Sequence, residues 1–408
     1  GLRVGAPGVV GACGLVQLLS DSGAGDIPGF RLTGLQSWIT RPAEIENGFA
    51  RIKPCLLIRL TAADGTIGWG EAYVLPCREA AVARIIHDLG RELSALARPD
   101  PWHFRDLATR VSLRHHSMDF AAATSALDIA LWDLIGRLVA KPLVELLGRP
   151  KCRDAAVYAN IWSESNWSGT ALVARAEHLV AAGYRAIKLH PMLNHNASQA
   201  IEAVRRVRGA IGADHRLMVD MDSETDTGIS RAVAKGILPA APYWFEEPAD
   251  GADVAVLAEL RRVVGIPLVT GERQSGVAHF RTVLALGAAD ILNPDIAGVG
   301  GLLDMVEISV LAGRHGVRMS PHCWNSMTVA ASAMMHVCAA IANAEMAEIY
   351  PEYLQHGELY AVNGFTVKNS VATLNGRPGL GVEIDEAALS ALSMQHDSSD
   401  FSAARAAS

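Results

Sequence analysis

Leu217-Met-Val-Asp220, Tyr243-Trp-Phe-Glu246 and Leu268-Val-Thr-Gly-Glu272 are three short apolar runs, each closed by a carboxylate. The acids at 220, 246 and 272 are evenly spaced, and each interval leaves room for one helix between one run and the next. Apolar runs of this length without polar alternation read as strands buried on both faces, as in parallel sheets. The pattern extends both ways, through 157–160 and 186–190 upstream and 290–293, 318–320 and 346–349 downstream. Eight such strands alternating with helices predict a (β/α) barrel rather than an open sheet.

What ends each strand carries the chemistry. His190, Asp220, Glu246, Glu272, Asp295, His322 and Glu348 each stand at or just past a strand end, at nearly regular intervals of one strand and one helix. Strand C-termini of a barrel converge on one mouth, where active sites are built. A single acid there reads as a helix N-cap; seven ionisable residues in phase read as a site.

Three crowded carboxylates, Asp220, Glu246 and Glu272, repel one another unless a cation neutralises them. All-oxygen ligation favours a hard ion, Mg²⁺ first and Mn²⁺ second. Lys188 and His190 alternate along one strand and so share a face. On the other side Asp295 is placed to orient His322 and raise its basicity. A cation between two opposed proton-transfer groups suits abstraction of the proton α to a carboxylate. In that setting the Lys188 pKa is expected to fall, and Glu348, if protonated, to donate a hydrogen bond to the intermediate.

Before residue 150 the texture differs. Strand-like runs at 32–39, 55–61 and 67–71, with a turn at 63–66, precede helical periodicity at 79–96, 106–111 and 121–139. Strands followed by helices indicate an α+β module, here a capping domain over 30–150. The barrel is expected over 154–360 and a segment returning to the capping domain over 361–395. Residues 396–408 are expected to form a tail, and 1–29 a disordered leader or cloning artefact.

Composition narrows the partners. Fifty per cent of residues are hydrophobic, the net charge is −7, and no basic block occurs, which argues against nucleic acid. No apolar run reaches the roughly 20 residues of a bilayer span, so no membrane partner is expected. Six scattered cysteines without a Cys-x-x-Cys pair read as reduced thiols in a cytoplasmic protein. Gly298-x-Gly300-Gly301 lacks the third glycine of a dinucleotide fingerprint and reads as a tight turn.

With these features in hand, the chain resembles the enolase superfamily, in the mandelate racemase-like branch of its mandelate racemase/muconate lactonizing enzyme family. The resemblance covers roughly residues 30–384. It is carried by Asp-Gly-Thr-Ile-Gly-Trp-Gly-Glu-Ala (64–72), Ala-Leu-Asp-Ile-Ala-Leu-Trp-Asp (126–133), Ile-Lys-Leu-His (187–190), Val-Asp-Met-Asp (219–222) and Trp-Phe-Glu-Glu-Pro (244–248). Thr-Gly-Glu (270–272), Asn-Pro-Asp (293–295), Met-Ser-Pro-His (319–322) and Pro-Gly-Leu-Gly-Val-Glu (378–383) complete it. It implies a modified enolase-type barrel, metal ligands at Asp220, Glu246 and Glu272, a His322–Asp295 dyad, and an electrophilic Glu348. It also implies a homo-oligomer, and capping loops near 39–45 and 73–76 that choose the substrate, with Arg41 as a carboxylate clamp.

Two departures from the family pattern stand out. Lys188-x-His190 replaces the usual Lys-x-Lys, so the base on that face is Lys188 or His190. Asp222 stands where asparagine is commoner and is a candidate substrate contact. The leading expectation is a Mg²⁺-dependent dehydratase of a hydroxylated carboxylate such as an acid sugar. A racemase or epimerase would use the same residues, and a catalytically silent binding protein would keep only the fold.

Overall fold

The structure, a computed structural model, describes residues 27–41, 54–113, 115, 117–149, 152–161, 169–192, 196–224, 226–324 and 327–402. Most of the leader expected over 1–29 and part of the capping loop expected over 39–45 lie outside them.

The capping domain is built on an antiparallel sheet of β1 (Leu32–Thr40), β2 (Cys55–Ala62) and β3 (Ile67–Ala72), joined on its outer edge by a strand from the C-terminus. Helices α1 (Glu79–Ser94), α2 (Pro101–Val111), α3 (Met118–Leu138) and the short α4 (Leu143–Leu146) follow. α2 starts ahead of the periodicity at 106–111, because Asp100 caps it by accepting the His103 N–H and Pro101 opens it. α3 is buried over most of its length, since β3 covers one side and barrel helices approach the other. Its contact with β3 is backbone to backbone. A Cβ on Gly70 would lie 2.0 Å from the Ala126 carbonyl oxygen, and one on Gly68 2.2 Å from that of Ala130.

The barrel strands are β4 (Asp154–Ile161), β5 (Ala186–Leu189), β6 (Arg216–Asp220), β7 (Trp244–Glu246), β8 (Leu268–Thr270), β9 (Ile291–Leu292), β10 (Arg318–Met319) and β11 (Ala347–Ile349). Each pairs parallel with the next from β4 to β10, and β11 pairs parallel with β4. A bridge between Met319 and Ala344 closes the ring. Helices α5 (Gly169–Ala181), α6 (Ala197–Ile211), α7 (Thr227–Ile237), α8 (Val254–Val263), α9 (Val277–Leu286), α10 (Leu302–Arg314) and α11 (Val329–Ala340) alternate with them, and α12 (Pro351–Gly357) follows β11.

The C-terminal segment divides its contacts. β12 (Ala361–Val362) pairs with β15 (Glu383–Ile384). Between them, a hairpin of β13 (Phe365–Lys368) and β14 (Val371–Leu374) runs antiparallel onto β4 of the barrel, a destination the expected return to the capping domain did not include. After α13 (Glu386–Leu392), β16 (Ser393–Asp400) pairs antiparallel with β1. The return to the capping domain therefore continues to Asp400, past the boundary expected at 395. Backbone pairing with an open sheet edge holds this polar strand, which hydrophobic periodicity does not register.

His336 ties the parts together. Its Nδ1 accepts the Val144 N–H of α4 at 3.1 Å, and its Nε2 meets the Leu380 carbonyl at 3.3 Å. Burial pushes this imidazole down to about 4, so the folded state prefers the neutral ring. That preference stabilises the fold fully above about pH 6.5 and fades as pH falls toward 4, by about 1.4 kcal/mol per unit. Denaturant titrations from pH 7 to 4.5 should show this slope, and His336→Gln should flatten it; an unchanged slope contradicts the assignment. Gly70→Ala should lower stability by about 3 kcal/mol through overpacking against α3, read as a shift in denaturation midpoint. A shift below about 0.5 kcal/mol would place it among ordinary surface changes and refute the close approach.

Candidate active site

β6, β7 and the end of β8 bring Asp220, Glu246 and Glu272 together, with one carboxylate oxygen from each within 4.8 Å of the others. All three are buried. Glu246 is held by Lys188 Nζ at 2.5 Å and Asn293 Nδ2 at 3.0 Å on one oxygen, and by Trp244 Nε1 at 2.8 Å on the other. No hydrogen bond from the described residues reaches Asp220 Oδ2 or Glu272 Oε2. Two buried carboxylate oxygens that face Lys188, His190 and His322 at 3.3–3.4 Å without hydrogen-bond geometry, in an all-oxygen set, fit a hard divalent cation.

Lys188 is fully buried and also lies 3.3 Å from Asp220 and 2.9 Å from Glu348. Its ammonium sits 5.6 Å from the Tyr158 ring centroid. Burial pulls its pKa down, but Glu246 and Glu348, then Tyr158 and Asp220, outweigh it and hold Lys188 well above its ordinary value. This lysine is the counter-ion of three acids, and the fall expected from sequence is one that a bound cation would bring. His190, just past β5, points to the same acid, with Nδ1 3.4 Å from Asp220 Oδ2. Burial raises Asp220, and His190 and Lys188 more than offset it, drawing it down to about 2.

Across the mouth, His322 Nδ1 bonds Asp295 Oδ2 at 2.9 Å, and the two residues form a parallel bridge between neighbouring strand ends. The other nitrogen, Nε2, lies 3.4 Å from Glu272 and 3.7 Å from Glu348. Burial lowers the imidazole, while Glu272, Glu348 and Asp295 bring it up to about 9. Glu348 accepts the Cys323 N–H at 2.9 Å, the Lys188 ammonium and the Asn160 carboxamide. Lys188 and His322 hold it below the usual carboxylate range against burial. In all three of these contacts Glu348 is the acceptor.

The two candidate substrate contacts fare differently. Asp222, at φ 53°, pairs with Arg273 beside the triad. Arg41 meets Glu79 of α1 through Nη2 at 2.6 Å, while its buried Nε has no hydrogen-bond partner among the described residues.

Two participants were missed. Asn160, near the end of β4, donates to Glu348 and to Tyr350 Oη. It precedes His190 by the same interval that separates His190 from Asp220 and so continues the ladder, but it is not ionisable. Glu247, at φ 42° and fully buried, accepts Thr270 Oγ1 at 2.9 Å and the Gly271 N–H at 2.8 Å. Burial and Glu272 push it up to about 8. It joins the loops that follow two candidate ligands, and the doubled acid at 246–247 was its signal.

A closed ring of strands with an acidic, cation-fitting cluster between opposed basic groups defines an enzyme of the divalent-ion barrel class. The comparisons make the class specific. Residues 33–148 match the family described as "Mandelate racemase / muconate lactonizing enzyme, N-terminal domain", and residues 171–388 match "Enolase C-terminal domain-like". The chain belongs to the mandelate racemase/muconate lactonizing enzyme family of the enolase superfamily. A crystal structure of an enolase from Sargasso Sea environmental sequence superposes with TM-score 0.88 at 38% identity, covering 91% of this chain and 99% of that one. D-galactarolactone cycloisomerase of Agrobacterium fabrum is 30% identical over 83% of this chain and 91% of its own length. D-gluconate/D-galactonate dehydratase of Picrophilus torridus is 26% identical over 81% of this chain and 86% of its own.

Glu246→Gln and Asp220→Asn should each weaken Mg²⁺ binding by at least about a hundredfold, more than the loss of an outer partner produces. Isothermal titration of the purified chain checks this, and wild-type affinity in either variant would remove the triad as the ligand set.

Proposed function

We propose that this protein is a Mg²⁺-dependent dehydratase acting on a hydroxylated carboxylate of the acid-sugar class. The observation that carries the reading is the cation-fitting triad flanked by His190 and Lys188 on one side and by His322–Asp295 on the other. Asp220, Glu246 and Glu272 would hold the ion. A bound divalent ion supplies Lewis-acid polarisation of the substrate carboxylate, worth several kcal/mol toward α-proton loss. His190 takes that proton, since the three acids around Lys188 engage its ammonium and leave it to add positive charge. From the opposite face His322, oriented by Asp295, delivers a proton to the departing β-hydroxyl. Relatives named as acid-sugar dehydratases support the elimination.

The runner-up is isomerisation. There His322 returns a proton to carbon, and the relative named as a cycloisomerase favours keeping it in view. No helix among the described residues is long and apolar enough to cross a membrane.

With Mg²⁺ and a panel including D-gluconate and D-galactonate, 2-keto-3-deoxy product should form with solvent deuterium at C3, and recovered substrate should carry deuterium at the α-carbon. His322→Asn should cut dehydration by about 10²–10⁴-fold while α-proton exchange persists; His190→Asn should abolish both. Exchange in wild type without keto product would convert the assignment to an isomerase. Absence of exchange, turnover and Mg²⁺ binding would leave a silent member of the fold.

A further inference from the structure

The loops that carry Asp295 and His322 each run into a barrel helix whose N-terminus is capped by the other domain. Residues 295–301 lead to α10, where Gly301 at the N-cap has no side chain to offer. Instead α3 of the capping domain supplies Ser125 Oγ, accepting the Gly300 N–H at 2.9 Å, and Asp128 Oδ2, accepting the Leu302 N–H at 2.6 Å. The Tyr73 N–H donates to the Ala297 carbonyl of the same loop at 2.9 Å. On the other side, Met327 and Thr328 lead into α11, whose N-cap Thr328 makes no side-chain capping bond. Glu71 of β3 takes that place, accepting the Met327 N–H at 2.9 Å and the Ala330 N–H at 2.8 Å. Ser125, Asp128 and Glu71 are all buried. The first turn of a helix leaves N–H groups without partners and carries partial positive charge, so these acceptors fix where each helix, and the loop before it, begins.

We infer that Ser125, Asp128 and Glu71 are positioning residues for the His322–Asp295 pair. By capping two successive barrel helices from one domain, they set the separation of the two helix starts and hence the 2.9 Å bond between imidazole and carboxylate. The inference rests on reading that pair as the proton-transfer dyad, but the bond itself is observable without substrate.

The test uses the full chain labelled with ¹⁵N-histidine. The downfield Nδ1–H resonance of His322 is assigned by its loss in His322→Gln. Asp128→Ala and Glu71→Gln should displace or erase it in protein that remains folded by circular dichroism, whereas Asp128→Asn, which keeps an acceptor for Leu302, should restore it. Asp133→Asn is the control: Asp133 lies on the same helix but accepts the Trp69 and Leu380 N–H groups, so it should affect stability and leave the resonance in place. On an active substrate, Asp128→Ala should lose about a hundredfold in kcat with KM little changed. If Asp128→Ala does not fold, Ser125→Ala should give a smaller displacement. An unmoved resonance in the folded variants, or an equal displacement in Asp133→Asn, overturns the inference. Failure of the acid-sugar assay with the resonance behaving as expected would instead refute the functional reading alone.

Discussion

Lys188 is fully buried within 3.3 Å of three carboxylates, and the rest of the mouth is arranged around that imbalance of charge. Asp220, Glu246, Glu272, Asp295 and Glu348 crowd a volume in which this lysine is the central cation. Unpaired interior charges cost several kcal/mol each, so every acid has to find donors or a counter-charge. Glu246 takes Trp244 and Asn293, Glu348 takes the Cys323 N–H, and Asp295 takes the Ala297 N–H at 2.8 Å. At Asp220 Oδ2 and Glu272 Oε2 the nearest cations and imidazoles stand at 3.3–3.4 Å without hydrogen-bond geometry. Those are the oxygens at which a divalent ion adds most, which is a stronger argument for ligation than proximity alone.

The lower barrel makes such a cluster sustainable. Beneath Lys188 the strands turn Tyr158, Met218, Trp244, Val269, Ile291 and Met346 into an apolar layer. Trp244 and Tyr158 meet edge to face there, with ring centroids 5.1 Å apart. The lysine stem and aromatic edges therefore exclude water from below, and the polar ends of the strands face the opposite way. Low polarisability beneath the acids strengthens each pairing above them. Tight pairing also explains the division of labour between Lys188 and His190, since a lysine shared by three acids is a fixed charge before it is a base.

The barrel and its ladder were legible because strand period and barrel closure translate sequence spacing directly into proximity: acids at 220, 246 and 272 have no other way to be in phase. Asn160 obeyed the same spacing and escaped attention because a carboxamide carries no charge. Arg41 is the converse case: its charge is visible in the sequence, but its pairing with Glu79 on a helix of the same domain is not. The C-terminal strand was misjudged at its end because the sequence from 393 to 400 is mostly polar, and its backbone pairing with β1, the stacking of His396 on Trp38 and the Ser399–His87 bond leave no hydrophobic period to read. Glu247 was hidden by its neighbour, since two adjacent acids cannot be sorted into ligand and loop-fastener without knowing which one leaves the strand.

Gly300 and Gly301 show how far a local reading goes. As a tight turn they are correctly read, with φ values of 121° and 119°. Yet a turn alone does not explain why the second glycine leaves room for an acid from elsewhere, with Asp128 Oδ2 at 2.6 Å from where its Cβ would be. A side chain at 301 would supply the helix with its own cap only by expelling Asp128. The glycines are thus an imprint of the domain interface on the barrel sequence. Where a helix start lacks its own capping residue directly after a strand-end acid or histidine, the missing acceptor is to be sought on the neighbouring domain. Glu71 at α11 satisfies the same condition.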